Sequence, residues 1–278
     1  MVEIGEGEVI FRGGKLEVAL LVDTEQLAVV DVRAARGWGK APAHVHVRHG
    51  EALYVIEGEL ALRLEDRVRR VGPDGWAFIP PGVVHEVEVT GDTPARYLAL
   101  HAPASGYGDY VRGDVAAFDQ RPADDYVSAD PALVVVRQAG EDEGERITDR
   151  PERRLTVLLD TEEIAITESR YGPGQRGAPP HVHNEHVDAF FVREGEITFH
   201  LRDGSHALPA GTLVVVPPGV VHGFDIDGDS SVRYFNLHVP SFGFVDYLRG
   251  EKPDFDQHEP PEEGGGDPSG VVVVRLSE

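Results

Sequence analysis

The sequence predicts an all-β chain built as two tandem domains, each a β-sandwich or small barrel, related by internal duplication. Two observations carry this. The first is a repeat: moving the chain by 137 places (158 − 21) sets Leu21-Val22-Asp23-Thr24-Glu25 on Leu158-Leu159-Asp160-Thr161-Glu162, and Ala41-Pro42-Ala43-His44-Val45-His46 on Ala178-Pro179-Pro180-His181-Val182-His183. The same shift carries Pro80-Pro81-Gly82-Val83-Val84-His85 onto Pro217-Pro218-Gly219-Val220-Val221-His222, and Phe118-Asp119-Gln120 onto Phe255-Asp256-Gln257. A period this long marks a duplicated domain, not a solenoid unit. The second is pattern: short apolar runs punctuated by Gly, Pro and Asp, with no long helical periodicity, read as strands.

In order, the first half offers strands at Val29 to Val32, Leu53 to Ile56, Leu60 to Leu64, Trp76 to Ile79 and Tyr97 to Leu100, then one short helix around Gly108 to Arg112, matched at Phe244 to Arg249. The polar, proline-bearing stretch after Gln120 reads as a linker. This divides the chain into a domain of residues 1–120, a linker of 121–133 and a second domain of 134–278. That second domain carries a Gly-rich tether, Gly264-Gly265-Gly266, and a terminal strand, Val271 to Val274. A bare run of four valines is an aggregation hazard unless paired. It is expected to join a sheet of this chain or, in a homodimer, of a partner.

Composition excludes several classes. Hydrophobic residues make up 41% and charged residues 27%, as in a globular protein with a core. The net charge of −23 repels phosphate backbones and anionic lipid surfaces, so neither nucleic acid nor membrane is an expected partner. Cysteine is absent, leaving imidazoles and carboxylates as the metal ligands. The amino-terminal stretch has no apolar run of secretory length, which gives a cytoplasmic expectation.

Histidine spacing carries the chemistry. Gly37 is followed after six residues by His44, then His46, then after four residues Glu51 and after six more Gly58; Pro80-Pro81-Gly82 precedes His85 by two residues. Residues two apart on a strand share a face, so His44 and His46 project together. Glu51 can return on the next strand, and His85 can follow the proline turn. Three imidazoles and a carboxylate on an octahedral ion leave two positions open for chemistry.

Both halves resemble cupin domains through these residues, and the whole chain resembles a bicupin. The resemblance implies two double-stranded β-helix (jelly-roll) barrels with metal sites of His44, His46, Glu51 and His85 in the first and His181, His183, Asp188 and His222 in the second. It departs from the family pattern at Asp188, where the family has Glu. A side chain shorter by about 1.5 Å, the length of a carbon–carbon bond, predicts a weaker second site that Asp188→Glu tightens. The reactive metal is therefore expected in the first domain.

Among bicupins the chain is similar to the quercetin dioxygenase-like group, through His-x-His-x4-Glu and the segments Gly-Tyr-Gly-Asp-Tyr-Val-Arg and Gly-Phe-Val-Asp-Tyr-Leu-Arg that close the halves. This implies a metal-dependent dioxygenase, an oxidoreductase acting on a small enolic, phenolic or flavonol-like substrate, with Glu51 as ligand and catalytic base. A base of this kind is helped if burial raises its pKa. The ion is a divalent transition metal, one of iron, manganese, nickel, cobalt and zinc, among which the ligand set does not choose. Two other readings stay open: a non-catalytic metal- and small-molecule-binding bicupin, and a metal-dependent isomerase or decarboxylase.

Strand alternation places Leu53 and Val55 on the Glu51 face, and Phe190 and Val192 on the Asp188 face. The lumens are therefore expected to be mostly apolar, with no inward Arg on these stretches. His49 and His186 read as solvated loop residues, His101 and His238 as structural or ligand-orienting residues. Arg112 and Arg249 read as helix caps.

Overall fold

The computed structural model describes residues 4–90, 92–140 and 143–276. The described residues are nearly all β: helix is confined to Tyr107–Arg112, Phe244–Arg249 and three short 3-10 turns. Two compact units form, one from Gly7–Glu143, the other from Gly144–Glu278 together with the strand Ile4–Gly5.

In the first unit a seven-stranded sheet runs in the order Val135–Gln138, Gly75–Ile79, Gly50–Glu57, Ala95–Ala102, Ala28–Ala34, Leu16–Asp23, Glu8–Gly13. Glu86–Val89, Leu60–Leu64 and Arg67–Val71 make a smaller sheet. Alternation sends Val30, Val32 and Ala34 of one strand, Leu53 and Val55 of another, and Val87 and Val89 of the small sheet into one buried cluster between the sheets. The second unit repeats this plan. Its large sheet has eight strands, including Val187–Glu194, Val232–Val239, Ala165–Tyr171 and Arg153–Asp160, and its small sheet joins Gly204–Pro209, Glu196–Leu201 and His222–Asp225. Phe190, Val192, Phe199 and Phe224 fill the corresponding space.

The division of the chain differs from the linker reading. Gln120–Pro122 pairs with His44–His46, and Val135–Gln138 pairs with Gly75–Ile79, so residues on both sides of 121–133 belong to the first unit. The polar composition of the segment hid its main-chain pairing. The terminal strand Val272–Arg275 pairs with Thr212–Val216 of the same chain, the counterpart of Val135–Gln138 on Gly75–Ile79. Each half thus protects a sheet edge with the segment that follows it.

The glycines at the hairpin turns have a steric reason. Gly58 and Gly195 hold φ of 77° and 74°, and a Cβ would lie 2.3 Å from Pro94 O and 2.4 Å from Ser231 O. Both the left-handed backbone and the close approach require glycine.

Candidate metal centres

Each unit gathers four buried side chains at one end of its barrel. His44, His46, Glu51 and His85 form one group, His181, His183, Asp188 and His222 the other, with the potential ligand atoms of each within 4.8 Å of one another. The backbone sets this up. His44 and His85 exchange main-chain hydrogen bonds of 3.0 and 2.9 Å, as His181 and His222 do at 2.8 and 2.9 Å, which locks the two ligand-bearing segments side by side.

Every imidazole is tethered from behind. Nδ1 of His44, His46 and His85 donates to the carbonyls of Pro42 (2.8 Å), Asp119 (3.4 Å) and Val83 (2.9 Å). In the second group His181, His183 and His222 donate to Pro179 (2.8 Å), Asp256 (2.8 Å) and Val220 (2.9 Å). A neutral ring that donates through Nδ1 presents a lone pair at Nε2, the state a metal ligand needs. His46 Nε2 and His183 Nε2 are buried without a hydrogen-bond partner, which is costly for a polar atom unless an ion occupies the centre. Both clusters fit a metal ion.

The shorter aspartate reaches as far as the glutamate. Glu51 Oε2 lies 3.0 Å from His85 Nε2 and 3.5 Å from His46 Nε2; Asp188 Oδ2 lies 3.1 Å from His222 Nε2 and 3.5 Å from His183 Nε2. The Asp188 oxygen therefore stands as close to its imidazoles as the Glu51 oxygen stands to its own. The physical reason is Asn236, whose Nδ2 donates to Asp188 Oδ1 at 2.5 Å and fills the space left by the missing methylene. At the matching place in the first unit stands Ala99.

Charge within the clusters follows from burial and proximity. Burial alone would raise the pKa of Glu51, but the His46 and His85 rings beside it hold it well below the usual carboxylate range. Asp188 is depressed in the same way, burial being overcome by His238, His183 and His222. Both carboxylates are thus held in the ionised form, without the raised pKa that would help a base. Burial, then the neighbouring imidazole, lowers His44 and His181 to about 4, so these rings are neutral.

Behind each cluster runs a buried relay that the sequence reading missed. Asp119 Oδ2 accepts from His49 Nδ1 at 3.0 Å, and His49 Nε2 meets His101 Nδ1 at 3.0 Å. In the second unit Asp256 Oδ2 accepts from His186 Nδ1 and His186 Nε2 meets His238 Nδ1, both at 2.8 Å. His238 Nε2 then lies 3.0 Å from the amide oxygen of Asn236. His49 and His186 are therefore fully buried, not solvated. The available signal was the repetition of Asp119 and Asp256 in Phe-Asp-Gln at both ends of the duplication. Arg112 and Arg249 pair with Glu8 and Asp23, and with Glu145 and Asp160; the helices are closed by Gly113 and Gly250.

The model of the cupin domain matches residues 30–101 and 167–239, one segment in each unit. The chain belongs to the cupin family. It is 24% identical over 221 residues to a quercetin 2,3-dioxygenase of Bacillus subtilis (strain 168), a match covering 67% of this chain and 66% of that protein, just under two thirds. Among solved structures, an oxalate decarboxylase variant of Bacillus subtilis superposes with a TM-score of 0.57 at 15% identity, covering 92% of this chain and 86% of that one. A putative glyoxylate-induced protein of Pseudomonas aeruginosa gives 0.56 at 18% identity, with 80% of each chain covered. At these identities the structural likeness speaks for the bicupin fold alone. No described helix is long and apolar enough to cross a membrane.

Proposed function

We propose that this cupin is a metal-dependent oxygenase acting on a small enolic or phenolic molecule. In this reading His44, His46, Glu51 and His85, and His181, His183, Asp188 and His222, each hold a divalent transition ion. The observation that carries it is the pair of caged sites: six imidazoles tethered through Nδ1, with Nε2 turned toward an ionised carboxylate. A bound ion would supply Lewis acidity to an enolic or phenolic oxygen and, if redox-active, the electron chemistry that dioxygen requires. Glu51 and Asp188 are the carboxylates placed within each cluster to accept the hydroxyl proton of the substrate. The apolar walls formed by Leu53, Val55, Phe190 and Phe224 exclude water from the reacting atoms.

The alignment with a quercetin dioxygenase supports oxygen chemistry over metal-assisted decarboxylation or isomerisation. A decarboxylase reading is kept by one observation: Arg153 lines a cavity beside the second cluster, where a carboxylate-bearing substrate would seek a cation. Two measurements test the proposal. Metal content by mass spectrometry, on protein purified without tag or chelator, is expected near two equivalents per chain; none that binds on metal addition overturns it. Oxygen consumption on addition of catechols or enediols separates oxygenase from decarboxylase, which consumes none.

A further inference from the structure

The two lumens offer different walls to a ligand. Facing inward in the first barrel are Val30, Val32, Ala34, Leu53, Tyr97 and Ala99, with Tyr107 packed against the same cluster. The matching positions in the second are Thr167, Ser169, Tyr171, Phe190, Asn236 and Tyr234. Polar groups have replaced hydrocarbon along one side of the second lumen. Ser169, Tyr171 and Tyr234 line one wall together, the two phenol rings stacked with centroids 6.0 Å apart, and the Arg153 guanidinium lies 5.0 Å over the Tyr171 ring. Thr167, fully buried and in register with Asn236, has an Oγ1 without a hydrogen-bond partner among the described residues.

A cavity of about 160 Å³ opens along this side. It reaches from His181 and Asp188, past Phe190 and Phe224, to Ser169 and Tyr234. The volume is below the roughly 300 Å³ at which pockets for drug-sized ligands begin. It suits one ring and not the three of a flavonol. The rows of Asp188 with His238 and of Ser169 with Tyr234 lie four residues apart along Val232–Val239, about 13 Å at about 3.3 Å per residue. A single ring carrying oxygens at opposite ends spans roughly 6.5 Å between them, and a polar contact of about 2.8 Å at each end brings this to roughly 12 Å, with Phe190 and Phe224 as its aromatic walls.

We propose that the second lumen is a substrate pocket and that it takes a single-ring catechol bearing a polar or acidic substituent. Its adjacent hydroxyls face the His181–Asp188 cluster, and the substituent faces Ser169, Tyr234 and Tyr171 with Arg153 beyond. The orientation of the catechol rests on the metal reading above; the polar end rests on the pocket walls alone. Ser169 and Tyr234 are specificity-determining residues, and the first barrel is the drier partner.

The test is calorimetric titration of 3,4-dihydroxybenzoate, under argon, into the full chain loaded with redox-inert zinc. Ser169→Val, which copies Val32 of the first barrel, and Tyr234→Phe should each weaken binding about tenfold while zinc content and the circular dichroism spectrum stay those of the parent. Val32→Thr should leave binding unchanged. Catechol, lacking the carboxylate, should bind more weakly to the parent and lose less on Ser169→Val. Ring protons of the bound probe should give nuclear Overhauser contacts to Phe190 and Phe224. No binding at millimolar probe, or binding that Ser169→Val and Tyr234→Phe leave intact while two zinc ions remain bound, overturns the pocket. Binding that these variants weaken, but that zinc removal does not change, keeps the pocket and overturns the metal reading instead.

Discussion

The two barrels share one scaffold and differ in how each carboxylate is held and how the lumen is lined. In the first, Glu51 reaches its imidazoles without an amide behind it, Ala99 standing where the second has Asn236, and hydrocarbon fills most of the facing positions. In the second, Asp188 reaches the same distances because Asn236 backs it, and hydroxyls line the adjoining wall. The lesson is that a ligand set is conserved through the position of its atoms. A residue and its neighbour can change together, Glu with Ala or Asp with Asn, and leave the oxygen in place.

The largest effect should come from breaking one cage. His46→Ala is expected to remove one equivalent of metal and His183→Ala the other, each without disturbing its counterpart, as read by mass spectrometry of the purified variants. Retention of both equivalents by either variant would contradict the assignment. Metal binding is folding energy where ligands must converge, so chelation should also lower the melting temperature.

Acid should act next, and on both barrels. Burial, first among the causes, holds His44, His49, His181 and His186 near 4 in the folded chain, against about 6.5 when unfolded. Between these values the unfolded chain binds more protons, so stability declines as pH falls from about 6.5 toward 4. Urea midpoints of metal-free protein at pH 7, 6 and 5 would read it; a flat profile would mean that these rings are charged in the fold. Glu51 and Asp188, depressed well below their open-chain values, give stability that is lost only at still lower pH.

The relays can be cut one at a time. Asp256→Asn leaves an amide where the Asn184 and Glu185 amides and His186 donate to a carboxylate. Loss of such an outer partner should weaken metal at the second site by about 10-fold to 100-fold and leave the first unchanged. Asp119→Asn should do the reverse, and competition with a chelator distinguishes the two.

Smaller effects probe the compensation itself. Asp188→Glu alone should destabilise by about 1–3 kcal/mol, because the added methylene meets Asn236, and Asn236→Ala in the same chain should recover most of it. This reverses the expectation from side-chain length alone, that glutamate would tighten the site. Thr167→Val, which copies Val30, should stabilise the ligand-free protein by about 1 kcal/mol in denaturant titration, since it removes a buried unpaired hydroxyl.

Much of the candidate site was legible because spacing maps directly onto geometry. His44 and His46 share a face by the period of the strand, and the proline turn before His85 brings it beside them. Asp119 and Asp256 were not legible as site residues. They lie 73 residues from His46 and His183, whose rings they receive through their carbonyls, and their repetition in Phe-Asp-Gln marks the duplication without saying which rings they meet. Asn236 escaped for a related reason: its role exists only against Asp188 across two paired strands.

By itself the sequence determined the duplication, the all-β class and the six imidazoles with their two carboxylates. These follow from period, alternation and residue chemistry, which are properties of short stretches. Only the tertiary structure decided that 121–133 stays with the first unit, that the last strand pairs within its own chain, that His49 and His186 are buried, and that polar groups line the second lumen. Each of these depends on which main-chain and side-chain groups meet after the strands are laid side by side, a pairing that loop closure and packing select over distances no local pattern records.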